Sequence, residues 1–277
     1  MLTELKDRFL QNLRDKQKAT ATIVAYGKDI DQLVESLLAM GKAQITDVTK
    51  DDLMKFLEEL QTKNFTPKTI SRKINSIKTF YRFLQEEGII TTNLASELTH
   101  PRYELKAPRI LNRLEYRALR DVVRSDLRTY AIVELFLQAG LRISEVADMK
   151  IEDVKDSILA IDHRKVPLNP AVADALAGYI KIRPEKSVNS HVFITKTGKP
   201  LLVRNIRTAI DRALKVAGIE NAKVNDLRVT FIAHQLASGA PLDYISKLVG
   251  HKRISTTERY LGLVQEKPKR GAKLVEL

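Results

Sequence analysis

The chain has 277 residues, 44% of them hydrophobic, a formal net charge of +13 and no cysteine. That length accommodates two domains, each with its own core, while the absence of thiols excludes disulfides, zinc-thiolate sites and cysteine nucleophiles. The charge is uneven, +2 over residues 1–107 and +11 over residues 108–277, so the second part is the one expected to meet a polyanion. The opening MLTELKDRFLQ has no signal-peptide core, and Glu134 interrupts the most apolar run, YAIVELFL, well short of a membrane span. A soluble, intracellular, cytoplasmic protein with no membrane partner is expected.

Four helical patterns precede residue 90. Leu5, Phe9 and Leu13 mark the first, Ile23, Tyr26, Ile30, Leu33 and Leu37 the second, and Leu53, Phe56, Leu57 and Leu60 the third. The fourth carries Ile70, Ile74, Ile77, Tyr81 and Leu84 on one face. Thr49, with Asp52 three residues on, and Thr66, followed by Pro67, are candidate helix starts; Gly41 and Gly88 are candidate stops. Residues 1–88 therefore read as a small all-helical bundle. Its fourth helix also holds Lys68, Arg72, Lys73, Asn75, Lys78 and Arg82, with Thr69, Ser71 and Ser76 interleaved. Short polar side chains among cations suit a helix lying against phosphates, with a few groups reaching base edges; a solvated polar face has the same composition.

Residues 89–110, with two prolines and little periodicity, read as a linker, and residues 111–277 as a second domain. Asn112-Arg113-Leu114-Glu115 has the form of a helix start, and Ala131–Ala139 is strongly apolar up to Gly140. Arg142 follows among apolar neighbours at a helix junction, where a poorly hydrated guanidinium needs an anionic partner: an external anion, or Glu145 in a structural ion pair. Ile151–Val154, Ser157–Asp162 and Lys165–Leu168 read as short strands, the last two joined by a tight turn through His163 and Arg164. His191–Thr195 is a further strand candidate. Helical patterns follow at Ala171–Ile182 and Asn205–Ala217.

The run from Asn225 to Tyr260 concentrates the chemistry. Leu242, Ile245 and Leu248 recur at helical spacing after Pro241, and Gly250 suits the stop, so His251 falls just past a helix end. Ser255-Thr256-Thr257-Glu258 has capping-box form and would open a helix with Tyr260 in its first turns. Arginine grips phosphate with a planar fork of donors, histidine donates to it or carries its proton, and a tyrosine oxygen can attack phosphorus. Singly, each has a plain structural reading: Tyr260 as a packing residue, His251 as a helix cap, and His234, among apolar neighbours, as core.

GLRISE at 140–145, NDLRVTF at 225–231 and LVGHKRISTTERY at 248–260 resemble the tyrosine recombinases, the phage-type integrases and Xer chromosome-dimer resolvases. The resemblance extends to the N-terminal helices. It implies a helical core-binding domain followed by a mainly helical catalytic domain with a small β-sheet, closing on duplex DNA. It also implies that Tyr260 attacks the scissile phosphate, leaving a 3′-phosphotyrosine, while Arg142, Arg228 and His251 hold the phosphate oxygens. Four copies would act on two duplexes carrying a specific site, with an accessory protein as a possible partner, and the basic segment 266–277, tipped by Leu274, Val275 and Leu277, would dock on a neighbouring subunit.

Two positions depart from the family pattern. Asn225 stands where histidine or lysine is usual; an amide donates to phosphate but takes no proton. The hairpin that supplies the family's leaving-group lysine is shortened: Lys165 is nearest, with Arg164 and His163 as rivals. No phosphate loop is present, and the five histidines show no metal-ligand spacing, so neither metal nor nucleotide cofactor is expected. Two other activities remain open: a DNA-binding relative with weakened cleavage, and a nick-and-reseal enzyme like a type IB topoisomerase.

Overall fold

The computed structural model describes residues 1–104, 108–184 and 190–263. Backbone packing divides the chain into two compact units, residues 1–105 and 106–277. The fold is mainly helical with one small sheet, as read from the sequence. No described helix is long and apolar enough to cross a membrane.

The first unit is built from α1 (Leu2–Asp15), α2 (Thr20–Ala39), α3 (Lys50–Thr62) and α4 (Pro67–Glu86). Its boundaries follow local chemistry. Thr49 Oγ1 accepts from Asp52 N and caps α3, Thr66 caps α4 with Pro67 in the first turn, and Gly41 and Gly88 end α2 and α4 with φ of +79° and +68°. α4 buries Ile70, Ile74, Ile77, Phe80, Tyr81 and Leu84. Phe9 of α1 meets Phe80 edge-on, centroids 5.2 Å apart. Ala95 and Leu98, beyond α4, are buried in the same core.

The six polar residues singled out on α4 do not share one environment. Lys68, Arg72, Asn75 and Arg82 are exposed and Lys78 is half-buried, its amine 3.1 Å from Ser96 O. Lys73 is not a surface cation. It is 3% exposed, with Nζ 2.9 Å from Oδ1 of Asp29, itself 1% exposed; Arg72 and Ser76 bond the other carboxylate oxygen. The helical period turns residue 73 inward beside Ile74 and Ile77, so the α2 carboxylate must neutralise it.

The second unit comprises α5 (Arg113–Val123), α6 (Leu127–Gln138), α7 (Ile143–Asp148), β1 (Val154–Lys155), β2 (Ile158–Ile161), β3 (Arg164–Pro167), α8 (Pro170–Ile182), α9 (Val203–Val216), α10 (Val224–Ala237), α11 (Leu242–Leu248) and α12 (Ile254–Leu261). α6 is its axis, packed against α8 and α10 and buried at nearly every position from Ala131 to Gln138. Glu134, 1% exposed, lies inside this apolar helix because Arg120 grips both its oxygens, at 2.5 and 2.8 Å.

The antiparallel sheet runs β1-β2-β3, with Ile161 opposite Arg164 and Ile158 opposite Pro167. Its β2–β3 turn is Asp162–His163, both with positive φ (46° and 61°), one residue earlier than the sequence suggests. This places Arg164 on the buried face with Val166 and leaves Lys165 exposed on the other. Ile151–Asp153 is a 3-10 turn rather than strand. His191–Thr195 makes only isolated bridges, Lys150 to His191 and Ile194 to Pro200; Val192, Phe193 and Ile194 are all buried in succession, so the segment fills core space instead of presenting an alternating sheet face. The basic C-terminal segment 266–277 lies outside the described residues.

The Lys73–Asp29 contact makes a quantitative prediction. Lys73→Ala should cost about 2–3 kcal/mol in urea unfolding, because Asp29 loses one charged donor but keeps Arg72 and Ser76, whereas Arg82→Ala should change stability by less than about 0.5 kcal/mol.

Candidate active site

The site is assembled on the C-terminal end of α11. Pro241 precedes the helix, Ile245 and Leu248 bury its inner face, and Val249 is its C-cap. Gly250, with φ +67°, turns the chain back so that its N–H reaches Lys247 O and the N–H of His251 reaches Ser246 O. The closing turn thus satisfies earlier carbonyls and leaves those of Leu248, Val249 and Gly250 pointing outward. Three arginines from three other elements take them. Arg164 Nε donates to Leu248 O at 2.9 Å, Arg228 Nη2 to Val249 O at 2.7 Å, and Arg142 Nη2 to Gly250 O.

The second ends of these guanidinium groups fix their positions. Arg142 precedes α7, and its backbone N–H and Nη1 both bond Glu145, at 2.7 and 2.6 Å. Arg164 Nη2 lies 2.8 Å from Oε2 of the same carboxylate, the oxygen that also accepts from the Arg142 backbone N–H. Arg228, one turn into α10 and 5% exposed, has no carboxylate of its own among the described residues; its Nη1 donates to Gly140 O at the end of α6. The ion pair offered by the sequence, Arg142 with Glu145, is therefore present, and one carboxylate serves two arginines. Burial alone would raise the Glu145 pKa, but the Arg142 N–H and the Arg164 guanidinium bring it below the usual range. Arg228 is pushed down to about 10, first by burial and then by Arg142 beside it. Three cations facing one anion leave a positive excess.

His251 and Tyr260 face each other across the turn to α12, rings stacked with centroids 6.0 Å apart and an interplanar angle of 14°. α12 starts two residues before the capping-box reading places it: Arg253 is the N-cap, without a side-chain cap, and Ser255 is already helical. Thr257 consequently points inward. It is fully buried, and its Oγ1 lies 2.7 Å from His251 Nδ1. Burial, reinforced by Arg228, Arg142 and Arg164, lowers the His251 pKa to about 4, so the imidazole is neutral at pH 7. Tyr260 is half-buried against the second unit's core.

Asn225 is exposed on the first turn of α10 and lines, with Arg142, Ser144 and Arg228, a cavity of about 1210 Å³ whose walls add Arg207, Lys215 and Lys223. The structure therefore brings together Arg142, Arg228, His251 and Tyr260, with Asn225 at the rim. It does not bring in Lys165. Arg164 takes the inward position because the two-residue turn sets the register. His234 is half-buried and its pKa is lowered by burial, as a packing residue's would be. Among the described residues no group of three or more His, Cys, Asp or Glu could hold a metal. Sequence reasoning missed Thr257 and the roles of the α11 carbonyls; nothing local marks either, since both depend on elements far apart in the chain.

A profile described as the Phage integrase family matches residues 106–267, and one described as Phage integrase, N-terminal SAM-like domain matches residues 7–88. The chain is similar to tyrosine recombinase XerC of Listeria innocua, with 30% identity covering 95% of this chain and 94% of that protein. Among solved structures it is similar to a Tn1549 transposon integrase in complex with circular intermediate DNA, at 18% identity, covering 92% of this chain and 94% of that one with a TM-score of 0.75. It is also similar to a lambda integrase tetramer bound to a Holliday junction, at 18% identity, covering 92% and 78% with a TM-score of 0.72. At these identities the structural likeness concerns the fold.

Two measurements test the geometry. A Cβ at Gly250 would stand 2.8 Å from Arg164 Nη1 and 3.2 Å from Arg142 Nη1 in a left-handed conformation, so Gly250→Ala should cost about 1–3 kcal/mol in thermal or urea unfolding and move both guanidinium groups in a crystal structure. For His251 the unfolded chain binds protons from its ordinary 6.5 downward while the folded one waits until about 4. Its contribution therefore lowers stability progressively as pH falls through that window; urea unfolding at pH 7 and pH 4.5 should show a smaller loss in His251→Asn than in the parent.

Proposed function

This chain belongs to the phage integrase family and is a site-specific tyrosine recombinase, and we propose that Tyr260 is its nucleophile, acting on a DNA phosphate gripped by Arg142, Arg228 and His251. The observation that carries this reading is the positive excess at the end of α11: three guanidinium groups and one carboxylate beside the stacked rings of His251 and Tyr260. A phosphodiester passing through a five-coordinate state gains negative charge on its non-bridging oxygens, and fixed donors already in place stabilise that charge with little reorganisation.

The step balances as follows. The Tyr260 oxygen forms a bond to phosphorus as the bond to the 5′-oxygen breaks, giving a 3′-phosphotyrosine and a free 5′-hydroxyl. The tyrosine proton leaves, and the departing oxygen gains one. Asn225 donates a hydrogen bond to a phosphate oxygen but accepts no proton, and Arg164 stays charged and so does not act as the acid; both transfers run through water. Reversal by another strand's 5′-hydroxyl rejoins the DNA without an external energy source, because the phosphotyrosine retains the ester.

DNA reaches the protein through both units. The exposed Lys68, Arg72, Asn75 and Arg82 of α4 hold backbone phosphates and base edges, while Lys73 serves the fold. Four copies act together on two duplexes in the cytoplasm, in a Xer-like role consistent with the near full-length match to XerC.

Covalent trapping tests the reading. Duplexes bound by the protein are selected from a randomised library, rebuilt with a nick beside the candidate cleavage point, and incubated with the protein before denaturing electrophoresis. Wild type should give a denaturant-resistant adduct, Tyr260→Phe none, and Arg228→Ala at least about a hundredfold less. Tight binding without any adduct would instead mark a DNA-binding relative that does not cleave.

A further inference from the structure

His251 can serve the phosphate in two forms that differ only in which ring nitrogen carries the proton, and the two have opposite effects. With hydrogen on Nε2 the ring donates to a phosphate oxygen; with hydrogen on Nδ1 it presents a lone pair to that oxygen and repels it. Something must choose between them. Nδ1 lies 2.7 Å from Thr257 Oγ1, which makes no other hydrogen bond among the described residues and is fully buried.

The threonine hydroxyl settles the choice by its own needs. If Nδ1–H donated to Oγ1, the hydroxyl proton would have no acceptor in a buried site, and an unsatisfied buried donor is costly. If the hydroxyl donates to Nδ1, its proton is used and only oxygen lone pairs are left over. We propose that Thr257 is a positioning residue that donates to His251 Nδ1 and so keeps the ring's proton on Nε2, ready to donate to the scissile phosphate. The role in cleavage rests on the recombinase mechanism above; the tautomer assignment does not. The helix start explains why this threonine is available: with α12 beginning at Ile254, position 257 faces the core, and Thr256 and Glu258 do not take its place. Burial, with the surrounding arginines behind it, lowers the His251 pKa and keeps the ring neutral, the state in which a tautomer choice exists.

The test is a long-range proton–nitrogen correlation spectrum of the DNA-free, 15N-histidine-labelled protein at pH 7, with His251 assigned by its loss in His251→Asn. The expected pattern is a protonated Nε2 and an unprotonated Nδ1, shifting toward a mixture in Thr257→Val. Single-turnover cleavage of the selected nicked duplex should fall roughly ten- to a hundredfold in Thr257→Val at unchanged DNA affinity, and Thr257→Ser, which keeps the hydroxyl, should recover to within about threefold of wild type. A wild-type spectrum showing Nδ1 protonated would overturn the inference. So would a Thr257→Ser protein as impaired as Thr257→Val, since methyl packing would then be the cause, or a Thr257→Val protein cleaving within about twofold of wild type. If wild type forms no adduct, the nucleophile assignment falls and with it the part of Thr257 in cleavage, while the spectrum still decides the tautomer.

Discussion

A helix ending in a glycine leaves its last carbonyls without partners, and in this protein those of Leu248, Val249 and Gly250 are met by arginines. The partial negative charge at a helix C-terminus favours cations. It does so without supplying full counter-charges, so three guanidinium groups are held in place while most of their charge stays unneutralised. Glu145 removes one unit, shared between Arg142 and Arg164. The arrangement is rigid and still hungry for an anion, the combination a phosphate-transfer site requires.

Each arginine reaches that helix end by a different route, and each route has a weak point that the sequence guards. Arg228 stands on a helix packed along α6, and Gly140 lets the chain at the end of α6 turn with φ +61° close under the Phe231 ring. Arg142 is set by the start of α7, where its own backbone and side chain both hold Glu145. Arg164 depends on the hairpin register, which a two-residue turn fixes; lengthening the turn by one residue would exchange it with Lys165. The hairpin register therefore ties an arginine into the site's framework and turns Lys165 away from it.

A neutral histidine among three arginines follows from the same electrostatics. Its protonated form would add a fourth cation to the cluster, which burial and repulsion both oppose. The ring is therefore a neutral dipole rather than a charge, held by α12 through stacking on Tyr260 and the contact of Nδ1 with the Thr257 hydroxyl. Tyr260 and Thr257, which both meet the His251 ring, lie one turn apart on one short helix.

The sequence by itself determined the helices, their caps at Thr49, Thr66 and Asn112, the glycine stops, and the cluster of Arg142, Arg228, His251 and Tyr260, because periodicity, capping and motif spacing are local properties of the chain. Only the tertiary structure decided that Lys73 is a core ion-pair residue rather than a surface cation, since burial depends on a carboxylate from another helix. It alone put Arg164 rather than Lys165 in the site, because a one-residue difference in turn position exchanges the faces of a strand. And it alone turned Thr257 toward His251: the residue's chemistry is legible in the sequence, but which way it points is set by where the helix begins, and that is fixed by packing.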